Sequence, residues 1–181
     1  MTPDSDLTRL IATLQAPSGE TTVGLVVQRL PGEKRATPPT ITLDPLHGVV
    51  GDRWSLKNPN PEAMVTLMRW DVADVLARRA GVPIAILGDN VFATIDTSTS
   101  NLPPGTVLEV GGATCVVTPK PHTGCSKFSA RVGADAWALT REARWVPTQL
   151  RGVHLRVLVG GDVSVGDRIR VIFRPSSAEP A

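Results

Sequence analysis

The chain has 181 residues, 41% hydrophobic and 20% charged, with a net charge of +2. That length supports one domain with a sizeable core, and so small a net charge excludes a nucleic-acid binder acting through bulk charge. No Lys/Arg block, apolar leader or bilayer-length apolar run stands in the sequence, so the expectation is a cytoplasmic protein with no nucleic-acid and no membrane partner.

Residues 5–15 predict a short amphipathic helix. Leu7, Leu10, Ile11 and Leu14 fall at helical spacing behind the capping candidates Asp4 and Ser5. Thr22 to Gln28 reads as the first strand, Pro31 to Pro39 as a polar loop, and Ile41 with Leu43 as resumed extended chain. His47 to Trp54 is a glycine-bounded loop, and Val65 to Met68 a short apolar strand. Residues 70–80 carry the clearest helical signal. Asp71 and Asp74 favour its positive end, Arg78 and Arg79 its negative end, Gly81 fits the cap, and Pro83 blocks continuation.

From residue 90 onward the pattern turns to β. Val91 to Ile95 is a strand, and 106–110 with 113–118 form a hairpin around Gly111-Gly112. Ser126 to Val132 is a helical turn stopped by Gly133. Val153 to Val159 alternates, which places His154 outward as a polar strand residue. Val163 to Val165 and Arg168 to Phe173 read as a final strand pair. Sixteen prolines and sixteen glycines fit such a turn-rich chain. The sum is a mainly β fold, a closed or nearly closed barrel with two or three short helices. Residues 1–20 are an N-terminal helix and extension, 21–174 the barrel, and 175–181 a disordered tail.

Two cysteines stand in very different company. Cys115 lies mid-strand among Ala113, Val116 and Val117 and reads as core. Cys125 lies in the loop Lys120-Pro-His-Thr-Gly-Cys-Ser-Lys-Phe128, with His122, Lys127 and Arg131 nearby. The thiolate is the nucleophile and metal ligand, and cationic neighbours and helix starts favour it. Most lone cysteines are nonetheless small buried hydrophobes. A disulfide between the two does not fit a reducing compartment. The scattered His47, His122 and His154 do not give zinc spacing. The loop Gly48-Val-Val-Gly-Asp52 lacks the Lys-Ser/Thr of a phosphate-binding loop and reads as a tight turn with a capping Asp.

Taken in order, these pieces resemble the MOSC family, the domain named after the C-terminal part of molybdenum cofactor sulfurases. The matching runs are Gly48-Val-Val-Gly-Asp-Arg53, Gly88-Asp-Asn-Val-Phe92, Leu102 to Gly111, His122-Thr-Gly-Cys-Ser-Lys-Phe128 and Arg151-Gly-Val-His-Leu-Arg-Val157, with Val165-Gly-Asp167 closing the chain. The resemblance covers residues 22–173. Two positions depart from the family pattern. Asp89 replaces a glutamate, and Gly124 stands before the cysteine where many relatives carry proline.

The resemblance implies a barrel like that of pyruvate kinase, and a molybdenum cofactor (molybdopterin) with Cys125 as catalytic residue and metal ligand. The implied cofactor-binding set is Asp52, Arg53, Asn90, His122, Thr123, Lys127 and Arg151, with Arg131 as a further cation. The implied activity is reduction of small N-hydroxylated or N-oxygenated substrates, fed by a separate electron-donor protein because the chain lacks iron–sulfur cysteines. The alternatives are a sulfur carrier using a Cys125 persulfide and a non-catalytic storage or delivery module. Pyridoxal phosphate is not expected, because the chain has no room for the sulfurase domain that binds it.

Overall fold

Alternating apolar residues bury one face of a strand, and closing such a sheet on itself buries all those faces together. The chain does this with seven strands. In the computed structural model, which describes residues 3–56 and 59–176, the barrel contains β1 (Glu20–Val26), β6 (Val65–Arg69), β7 (Val91–Ala93), β8 (Val107–Val110), β9 (Ala113–Val117), β10 (Val153–Val159) and β12 (Arg168–Phe173). Their order is β1-β12-β8-β9-β10-β6-β7, closing back on β1. Neighbours are antiparallel except β6 and β7, which run parallel. Parallel neighbours need a crossover, here supplied by α2 (Trp70–Ala80).

Around the barrel lie β2 (Gln28–Arg29) paired with β3 (Arg35–Ala36), and a small sheet of β4 (Thr40–Asp44), β5 (Gly48–Val49) and β11 (Gly161–Ser164). The expected final strand pair is therefore corrected. β11 pairs with β4 and β12 with β1 and β8, so Gly166-Asp167 turns the chain from one sheet to another.

Two apolar clusters divide the interior. One fills the barrel with Val23, Leu67, Val91, Leu108, Cys115, Val117, Leu155 and Ile169. The other lies outside it, between the sheet and the helices α1 (Pro3–Thr13), α2, α3 (Ser126–Val132) and α4 (Ala134–Leu139). Strand β6 lies between the two, and all five of its residues are buried. That explains its apolar run without alternation.

The expected helix at 70–80 ends on Gly81 at φ 66°, whose N–H reaches the carbonyls of Ala77 and Arg78. Hairpin β8–β9 turns through Gly111 at φ 55°. In α1, Leu7 and Ile11 are buried but Leu10 is exposed, so its apolar stripe is narrower than the spacing suggested. The capping candidates Asp4 and Ser5, and residues 177–181 of the expected tail, lie outside the described residues or side chains.

Candidate functional site around Cys125

Strand β9 delivers the chain to the segment 118–125, which crosses the outer face of β10 and starts α3. Cys125 is exposed at the N-cap of α3, a free thiol, while Cys115 is buried in the barrel and its thiol is pushed up to about 12 by burial. Gly124 has a packing reason. A Cβ there would stand 2.6 Å from the Phe128 ring and 2.7 Å from Trp137. Trp137 Nε1 also donates to the Gly124 carbonyl at 2.7 Å. The two aromatic side chains thus clamp the loop that presents the sulfur, where a proline ring would collide.

Under that loop lies a buried polar cluster. Arg151 Nη1 donates to Asp89 Oδ2 at 3.0 Å and lies 2.9 Å from the Met68 sulfur. The Phe128 ring covers its guanidinium at 3.8 Å. His122 Nε2 is 3.3 Å from Asp89 Oδ1 and 3.4 Å from Arg151 Nη2. Its ring packs on His154 with centroids 4.4 Å apart. The expectation of an outward polar His154 is corrected here. β10 does alternate, but its outer face at this point is roofed by the 118–125 segment, so His154 is buried. Burial, with Arg151 close by, holds His122 well below the ordinary histidine value. Burial, with His122 next to it, holds His154 at about 3. Both rings are neutral near pH 7.

Asp52 and Asn90 form a second buried knot. Asp52 accepts from Arg29 N at 2.8 Å, Arg29 Nε at 2.9 Å, Trp54 N at 2.8 Å and Asn90 Nδ2 at 3.0 Å. Asn90 Oδ1 accepts from Thr66 N and Oγ1, and its Nδ2 also donates to the Val27 carbonyl. These polar groups are used inside the protein, tying the Gly51-Asp52 turn to β2, to β6 and to Val27 between β1 and β2. Leaving one unsatisfied costs about 1–3 kcal/mol.

The open part of the site is cationic. Lys127 Nζ lies 2.5 Å and Arg53 Nη1 2.6 Å from Glu33 Oε1, and Arg131 Nη2 lies 2.6 Å from Glu33 Oε2. Arg35 Nη2 stands 3.9 Å from the same carboxylate. Burial, with Arg131 and Arg53 near, lowers the hold of Arg35 on its proton. Lys127, then Arg53, hold Glu33 down to about 2. Among the described residues, Arg35 Nε and Nη2 and Arg29 Nη2 are buried without a hydrogen-bond partner. Among the described residues, five cations therefore face two carboxylates, Glu33 and Asp52. Two grooves, of about 460 and 540 Å³, border this basin and meet at Lys127.

On the other side of the cysteine loop a cavity of about 430 Å³ is lined by His122, Thr123, Trp145 and Arg151. The structure thus separates the expected site residues into three groups. Arg53 and Lys127 face the basin, His122, Thr123 and Arg151 border the cavity, and Asp52 and Asn90 lie in the structural knot. Sequence reasoning missed Glu33, Arg29 and Arg35. Their one local signal is the run of charge flanking Pro31-Gly32, which reads as an ordinary polar loop.

Fold and site define a closed β-barrel domain that presents one exposed thiol at the N-cap of a helix whose Lys127 and Arg131 line a basic groove. The MOSC domain family model matches residues 47–170, well over half of the chain, so the chain belongs to the MOSC domain family, which is associated with binding of the molybdenum cofactor. Among solved structures it is similar to YiiM from Escherichia coli, at 19% identity and TM-score 0.60, covering 86% of this chain and 71% of that one. It is also similar to the YuaD protein from Bacillus subtilis, at 15% identity and TM-score 0.60, covering 84% and 95%. YiiM from Geobacillus stearothermophilus gives 14% identity and TM-score 0.53, covering 91% and 78%. Likeness at these identities establishes the fold. A comparison with curated proteins finds no match. Among the described residues no helix is long and apolar enough to cross a membrane.

Proposed function

We propose that the chain binds a molybdenum cofactor across the Cys125 face and works as a reductase of small N-oxygenated compounds, with electrons from a separate donor protein. The observation that carries this reading is the exposed Cys125 thiol at the start of the helix that carries Lys127 and Arg131 into a basin where, among the described residues, buried guanidinium N–H groups on Arg29 and Arg35 have no hydrogen-bond partner. A soft thiolate suits a molybdenum–sulfur centre. Unpaired guanidinium donors suit the phosphate of a pterin cofactor, because a planar fork of N–H groups matches phosphate oxygens. The residues present therefore fit the group.

Cys125 would ligate the metal, while Arg53, Lys127, Arg131 and Arg35 would hold the phosphate. When bound, the cofactor supplies the oxygen-atom removal. The protein's own part is presentation. Trp137 and Phe128 fix the cysteine loop, and the Asp89–Arg151 pair anchors the floor beneath it. Neutral His122 and Thr123 offer hydrogen-bonding groups to the adjoining cavity.

Molybdenum content tests the reading. Protein purified from a cofactor-producing host should carry the metal, and Cys125→Ala should lose it with no change in melting temperature. Equal metal in both proteins, or none in either, sinks the proposal. A reductant-sensitive sulfur adduct on Cys125, found by intact mass in metal-free protein, would replace it with the sulfur-carrier reading.

A further inference from the structure

Glu33 sits where an anionic ligand would sit. It is on the tip of the β2–β3 hairpin, yet it contacts Arg53 from the loop after β5 and Lys127 and Arg131 from α3. It is thus the only carboxylate that the described residues place within ion-pair distance of these three cations. Its backbone is in the left-handed region, at φ 63°, just after Gly32 at φ 69°. That region is sterically unfavourable for a residue with a Cβ. The side chain is about half exposed, so little packing holds it in place. Meanwhile Arg35 and Arg29 keep buried N–H groups that Glu33 does not hydrogen-bond, Arg35 Nη2 standing 3.9 Å from its carboxylate. One carboxylate with a single negative charge leaves this donor set under-used. A phosphate group carries more charge and an additional oxygen acceptor.

We propose that Glu33 is an intramolecular occupant of an anion site formed by Arg35, Arg53, Lys127 and Arg131, and that a phosphate group binds there by displacing it. This rests on the reading that the basin receives the cofactor's phosphate, and it adds that the hairpin tip competes for the same place. Displacement frees the three cations and offers oxygens to the buried guanidinium donors. Because Lys127 and Arg53 hold the carboxyl down to about 2, Glu33 stays ionised throughout the physiological range. Ligand concentration and ionic strength therefore set the exchange, and pH enters only through the second ionisation of the phosphate itself, at about 6.

The test uses purified metal-free protein, isothermal titration and two probes, inorganic phosphate and phenyl phosphate, at fixed low ionic strength near pH 7. If the cations are occupied in most molecules, removing the occupant raises apparent affinity by the inverse of the free fraction, at least about tenfold for a site mostly closed. Glu33→Gln should therefore bind phosphate at least about tenfold more tightly than wild type, and Lys127→Gln in that background should cancel much of the gain. Glu33→Asp, with its shorter reach, should fall between. Preference for phenyl phosphate assigns the site to a phosphate monoester, and preference for inorganic phosphate assigns it to the free ion.

Equal or weaker phosphate binding by Glu33→Gln overturns the proposal, since it would make Glu33 an organiser of the cations. So would a gain that Lys127→Gln leaves intact. Melting temperature and far-UV circular dichroism confirm that each variant is folded. None of these readouts involves molybdenum, so failure here leaves the Cys125 metal test standing, and failure there leaves this one standing.

Discussion

Helix α3 divides two groups of ion pairs built from the same chemistry. Beneath it, Asp89 and Arg151 have side chains almost wholly withdrawn from water, with Phe128 over the Arg151 guanidinium. Above it, Glu33 is shared among Lys127, Arg53 and Arg131 at the surface. Burial decides what each can do. A charge removed from water cannot leave its partner without a large penalty, so the lower pair fixes geometry. A solvated carboxylate exchanges with water and ions at little cost, so the upper cluster is free to trade one anion for another.

The sharpest way to break this contrast is to neutralise Asp89. Asp89→Asn leaves the Arg151 guanidinium buried without its counter-charge, and should cost about 3–5 kcal/mol in urea unfolding. Adding Arg151→Met should recover much of that loss, because an apolar side chain of similar length needs no partner. A loss below about 1 kcal/mol in the single variant would place the pair in solvent.

The next effect comes from the histidines beside that pair. His154 titrates at 6.5 in ordinary surroundings and at about 3 in the fold, with His122 shifted the same way. Below pH 6.5 the unfolded chain therefore binds protons that the folded chain does not. Stability must fall as pH drops from 6.5 towards 3, with a slope of up to about 1.4 kcal/mol per pH unit for each histidine. Denaturation curves between pH 7 and 4 should show this fall, and His154→Gln should flatten it. An identical curve for the variant would mean that His154 is charged in the folded protein.

The smallest effect belongs to the upper cluster. Glu33→Gln should leave the urea midpoint unchanged although it removes the shared partner of three cations. A loss comparable to that of Asp89→Asn would erase the distinction between the two groups.

Much of the local architecture is legible from neighbouring residues. The 70–80 helix has its acidic start, basic end, Gly81 cap and following proline within one short stretch. The β8–β9 hairpin turns at its glycine pair. Helix α3 spans Ser126–Val132 and stops at Gly133, as its pattern implied. β10 alternates as expected, but alternation only assigns a residue to a face. It does not say what covers that face, which is why His154 proved buried under the cysteine loop. The pairing of β11 with β4 was equally illegible, because strand partners depend on contacts far apart in sequence.

The sequence by itself therefore determined most barrel strands, the first three helices, the family and the contrast between Cys115 and Cys125, but neither helix α4 nor strand β3, which lies in the expected 31–39 loop. Those follow from periodicity, turn chemistry and an ordered set of short motifs, all carried by residues close together in the chain. Only the tertiary structure decided what surrounds the thiol. Glu33 meets Lys127 across 94 positions of sequence, and Asp89 meets Arg151 across 62. Such pairs exist because the closed barrel brings one hairpin tip and one strand end to the same helix. No local propensity encodes that meeting, since the free energy that enforces it comes from burying the barrel interior and the layer beneath the helices.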